Sequence, residues 1–122
     1  MIGTWLGDST EADGTRRYEL AIRRADGSYQ VSFRATKSGR TVQEQTEVGL
    51  WGVSADIYFT ITQGYLLNGS VQRTPPQDAS FYDAYRITRL TAHEFEYAHV
   101  LQGEKSRDRK VAEGTRLPDD AT

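Results

Sequence analysis

A chain of 122 residues has room for one domain around one core, and its 37% hydrophobic and 26% charged content is that of an ordinary soluble globular protein. A net charge of −2 supplies no electrostatic basis for binding nucleic acid or an anionic membrane surface. The absence of Cys excludes disulfides, thiolate chemistry and Cys-ligated metal, and no apolar run reaches the length of a membrane helix.

Period-two alternation dominates the chain, and its supply of Tyr, Phe and Trp favours sheets. Met1-Ile2 leads directly into a first strand over residues 3–8. No signal peptide is visible, so two histories fit: a cytoplasmic protein, or an exported one whose leader is missing from this sequence. A periplasmic or secreted location is preferred, with the cytoplasm as the alternative. A polar turn precedes a second strand, 15–24, with Tyr18, Leu20 and Ile22 on one face and Glu19, Ala21 and Arg23 on the other. Asp26-Gly27 is a hairpin signal leading to a third strand, 28–36, in which Tyr29, Val31 and Phe33 alternate with polar residues.

The fourth strand, 41–53, changes apolar parity at Gly49, which reads as a bulge or bend. The fifth, 56–62, aligns Ile57, Phe59 and Ile61. Strands over 82–90, 94–102 and 106–112 follow, making eight, and the apolar spacing of a helix is absent throughout. The reading is all-β: an eight-stranded up-and-down antiparallel barrel over 1–113 and a C-terminal tail over 114–122. Eight strands close around an interior just wide enough for side chains or one small ligand.

One connection, 63–81, is long and contains Tyr65, Leu66, Leu67, Val71 and Phe81, so part of it is expected to fold over the barrel mouth as a lid. Asn68-Gly69-Ser70 matches a glycosylation sequon but reads as a turn. Arg89 shares parity with Tyr85 and Ile87, and an inward Arg would need an internal partner or a ligand; the competing reading puts it at a strand end in solvent. His93 and His99 lie about 20 Å apart in an extended strand, too far for one ion unless the chain turns. No metal and no cofactor are expected, and no nucleophile-base set or phosphate loop is visible, so no catalytic residue is assigned.

Gly3-Thr4-Trp5 at the start, eight strands and a late basic residue together resemble the calycins, and most closely the short bacterial lipocalin-like barrels. The resemblance implies that Gly3 and Trp5 begin the first strand, that Trp5 packs at the closed end of the barrel, and that Arg109 of "RDRKV" lies across its indole. A guanidinium over an indole gains about 0.5–2 kcal/mol. Avidins share the Gly-Thr-Trp start, but Trp51 is the only further Trp, so biotin is not expected. The lipocalin-like reading implies binding of a small, mostly hydrophobic molecule, with a carboxylate as one option for its polar end. The expected lining is Tyr18, Leu20, Tyr29, Val31, Phe33, Phe59, Tyr65, Tyr85, Ile87, Arg89, Phe95 and Tyr97. No enzyme, no nucleic-acid partner and no membrane insertion are expected. The alternative is a protein-interaction module, an inhibitor or immunity-type partner, with a packed interior and a docking surface on 63–81 or on the faces of Tyr58 and Arg34. Interior volume separates the two readings, since a connected cavity of roughly 300 Å³ or more suits a ligand.

Overall fold

The computed structural model describes residues 1–118; residues 119–122 of the expected tail lie outside the described residues. Among the described residues nine strands form: β1 (Gly3–Thr10), β2 (Arg16–Arg23), β3 (Ser28–Lys37), β4 (Arg40–Ser54), β5 (Ile57–Leu67), β6 (Ser70–Arg73), β7 (Tyr82–Leu90), β8 (Glu94–His99) and β9 (Lys105–Val111). Eight of them close a ring, β1-β2-β3-β4-β5-β7-β8-β9 and back to β1, every neighbour antiparallel. The expected eight-stranded up-and-down barrel is therefore the fold. No helix among the described residues is long and apolar enough to cross a membrane.

β6 is the element missing from the sequence reading. β5 runs on to Leu67, and Asn68-Gly69 turns the chain so that Leu67 pairs with Ser70. Both turn residues have positive φ, 53° and 80°, the conformation of a tight type I′ hairpin. Most of the 63–81 segment is thus an extension of one edge of the wall.

The register shows which face is inside. Trp5, Ala21 and Val31 are opposite one another across β1, β2 and β3, and all belong to the core with Tyr29, Tyr58, Phe95 and Tyr97. Leu6, Tyr18 and Leu20 consequently point outward. They are buried nonetheless. The segment after β9 returns on this side, where Arg34, the register partner of Tyr18, donates to the carbonyls of Leu117 and Pro118 at 3.4 and 3.0 Å. A more apolar outer than inner face on β2 inverts the ordinary pattern, and that inversion explains the misassigned parity of Tyr18 and Leu20.

One end of the barrel is solid. Trp5 and Phe95 are 1% and 0% exposed and meet edge to face at 6.2 Å, and Phe95 stacks on Tyr97 at 4.2 Å. The Trp5 indole N–H donates to the Met1 carbonyl at 3.0 Å, tying the chain start across the closed end. β1 and β9 zip from Thr4↔Val111 to Gly7↔Asp108, so first and last strands become neighbours only on closure.

Arg109 is not the residue over the indole. It is opposite Leu6 on the outer face, where it pairs with Asp8 at 3.4 Å; Lys110, opposite Trp5, points inward with Nζ 5.9 Å from the ring centroid. Gly3 leaves room for the Lys110 stem, since a Cβ there would meet Lys110 Cε at 3.0 Å.

Candidate functional site

Above the aromatic floor the barrel is open. A cavity of about 1040 Å³ lies between the far ends of β1–β4 and the start of β9, bordered by Gly7, Glu19, Phe33, Ala35, Gln45, Glu47, Ser106 and Asp108 among others. Below it a throat of about 50 Å³ is lined by Tyr29, Val31, Phe33, Tyr58, Thr60, Thr62, Tyr85 and Tyr97, with Glu19, Glu47 and Asp83. Glu19, Phe33 and Glu47 border both spaces, which places them at the junction.

Of the residues expected to line a ligand site, Tyr29, Val31, Phe33, Tyr85 and Tyr97 line the throat. Phe95 and Ile87 belong to the packing beneath it and border neither space. Tyr18 borders the mouth cavity from the outward face of β2, and Leu20 does not reach it. Phe59 is on the outer wall with its ring over Gly52, because the inward residues of β5 are its neighbours Tyr58 and Thr60. Tyr58 is therefore buried inside rather than offered as a docking face. Tyr65 packs against Phe81 at 6.2 Å, and neither it nor any other residue of 63–81 borders the mouth cavity.

Arg89 is also outside. β7 carries an extra residue, Thr88, between the pairs Ile87↔Tyr97 and Arg89↔Glu96, so the alternation that makes Ile87 inward turns Arg89 outward. Its side chain is 55% exposed and pairs with Glu94 at 3.2 Å. The expected carboxylate hook is absent from the cup.

What lines the throat in its place is acid, while the mouth carries both signs, with Arg17, Arg34, Lys105 and Arg107 beside Asp8, Glu11 and Glu104. Asp108 accepts from the Tyr97 hydroxyl at 3.0 Å and lies 3.8 Å from Arg23, whose guanidinium is 1% exposed at its side chain. Arg23 donates to the Tyr58 hydroxyl at 3.0 Å and sits 4.8 Å above that ring and 5.3 Å from Phe95, while its Nη1 has no hydrogen-bond partner. Glu47 accepts from Gln45 at 2.9 Å. Asp83 meets His99 Nε2 at 2.9 Å; His99 Nδ1 already accepts from the backbone N–H of Leu101 and of Gln102, so Nε2 carries the proton and donates.

Glu19 accepts a hydrogen bond from none of the described residues. Burial, the nearby charge of Asp108 and that of Glu47 outweigh the pull of Arg23 and push its carboxyl up to about 7. Burial also raises Asp108 and Glu47, and it pushes Tyr29 up to about 12. The sequence reading set Glu19 and Arg23 on the solvent side of β2. The signal available was their register with Trp5: a residue 16 positions on, across one hairpin, shares the face of the Trp that must be buried.

No set of three or more His, Asp or Glu among the described residues is arranged to hold a metal ion. The arrangement is that of a receptacle: an aromatic floor, a narrow acidic throat and a wide polar mouth. No family model and no curated protein matches this chain.

Proposed function

We propose that this protein is a lipocalin-like binding barrel that takes a small, mostly hydrophobic molecule into its cup and does no chemistry on it. The observation that supports this reading is the cavity of about 1040 Å³ opening at one end of the closed barrel, at the upper limit of small-molecule sites and joined to an aromatic throat. Lys110 over Trp5, linking last strand to first, supports the lipocalin-like resemblance in the role first given to Arg109. The apolar part of the ligand has Phe33, Tyr85 and Tyr97 to pack on.

Nile red, a neutral apolar dye, tests the reading. One molecule is expected to bind each chain with enhanced fluorescence, and Ser106→Trp, which fills the mouth from β9, is expected to abolish it. Equal binding by the folded variant would place the dye outside the cup.

A second reading has its own observation. Leu50, Ile61 and Tyr82 adjoin across β4, β5 and β7 on the outer wall, next to Phe59, and Leu50, Phe59 and Tyr82 are 40%, 37% and 47% exposed. Such a strip suits a protein-interaction module. Native mass spectrometry of protein isolated from its source distinguishes the two: a small-molecule adduct supports the cup, a co-purified protein supports the strip.

A further inference from the structure

We propose that the throat selects a ligand with an organic ammonium head, bound by Glu19 and Glu47 and enclosed by the rings of Phe33, Tyr58, Tyr85 and Tyr97. This rests on the cup being a ligand site and adds the charge and class of what it takes. Three observations carry it. First, the throat is lined by three carboxylates, from Glu19, Glu47 and Asp83, and by no cationic side chain. Arg23 is buried close enough for its charge to act on Glu19 but does not line the throat, and it is held by Tyr58 and Asp108.

Second, these acids differ in how far they are committed. Asp83 is taken by His99, and one oxygen of Glu47 by Gln45. The Glu19 carboxyl has no described donor, whereas Glu47 also has Thr62 beside it; both stand at the junction of mouth and throat, where a guest arriving from the mouth meets them first. A carboxyl partly withdrawn from water without a protein donor is costly in its charged form. Its near-neutral titration is the free cup's answer to that cost, and an ammonium group beside it would return it to carboxylate.

Third, the remaining wall is aromatic. Tyr58 and Tyr85 stack at 5.4 Å and Tyr97 meets Tyr85 edge to face at 5.2 Å, leaving ring faces and edges around a space of about 50 Å³. Ring faces attract cations and repel anions. The carboxylates do not converge as a metal-ligand set, which favours a larger cation with a soft, partly apolar surface. The 1040 Å³ mouth then accommodates the rest of the molecule.

Isothermal titration of the full chain at pH 7.5 with octylammonium, octanol and octanoate separates charge from chain length. Octylammonium is expected to bind at one site, with octanoate at least about tenfold weaker. Glu19→Gln, its fold verified by circular dichroism, is expected to weaken octylammonium at least about tenfold and to leave octanol unchanged; Glu47→Gln, a second and more exposed variant, is expected to weaken it in the same direction. Octanoate binding as tightly as octylammonium, or an unchanged octylammonium affinity in both variants, would overturn the proposal. Octanol and octanoate binding without octylammonium would overturn the ammonium head and leave the cup as a binding site. Failure of all three probes and of Nile red would overturn both.

Discussion

Arg109 and Lys110 are adjacent in the chain and end on opposite sides of the barrel wall, because successive side chains of a strand alternate. Both are exposed, but Lys110 reaches the Trp5 ring at the closed end, whereas Arg109 meets only the surface carboxylate of Asp8. Exposed pairs of that kind contribute little. Trp5 fills the closed end with 1% exposure, so its loss leaves a cavity ringed by Phe95 and Lys110. In urea unfolding, Trp5→Ala is expected to cost about 3–5 kcal/mol. Lys110→Ala should cost about 0.5–1 kcal/mol and Arg109→Ala less than about 0.5 kcal/mol. An order in which Arg109 exceeds Lys110 would overturn the inside-outside assignment of β9.

At the scale of elements, single extra residues decide where side chains go. Thr88 in β7 turns Arg89 out of the cup. Gln63 in β5 falls between the pairs Val48↔Gly64 and Gly49↔Thr62, so the irregularity expected at Gly49 is at that position, but the added residue belongs to the partner strand. β4 itself keeps one parity, setting Glu47, Gly49 and Trp51 inward. Gly49 is required there by close approach: a Cβ would stand 2.0 Å from the Ile61 carbonyl oxygen and 2.8 Å from the Tyr29 ring. Gly49→Ala must push two strands apart, and the expected loss is about 1–3 kcal/mol on thermal unfolding, the range of an overpacked core. A variant as stable as the parent would mean that β4 and β5 separate freely at this point.

For the whole molecule, the cost of gathering half-buried acids in the cup should appear in its pH profile. Glu19 titrates near 4.5 when unfolded and near 7 when folded, so the folded chain holds a proton that the unfolded chain has released between those values. Stability therefore falls as pH rises through that window, the opposite of a salt-bridged carboxylate. The decline from pH 5 to pH 8 is expected to be on the order of 2 kcal/mol, allowing for water in the cavity above it. Glu19→Gln removes this contribution and should flatten the profile, leaving the smaller contributions of Glu47 and Asp108 with the same sign. Denaturant midpoints across that range provide the check, and a profile that rises with pH in the parent would refute the buried placement of Glu19.

Period-two alternation and the turn residues between strands were enough to specify the barrel, because local backbone preference and one-sided burial act within a few residues and leave their trace in the order of side chains. The early Trp5 marked the closed end for the same reason: a large aromatic ring must be buried somewhere. Asn68-Gly69 carried the ninth strand just as plainly, though within a segment read as a loop. The burial of the outer face of β2, the outward turn of Arg89 and the identity of the cation over Trp5 were not legible in the chain order. Each depends on a partner far away in sequence: the return of the chain after β9 to Arg34 on the outer side, the residue that β8 leaves unpaired in β7, and the register in which β9 meets β1. A one-residue shift of register exchanges the two faces of a strand. Only closure of the ring chose among those registers, and with them placed Glu19, Glu47 and Asp83, rather than Arg89, in the throat of the cup.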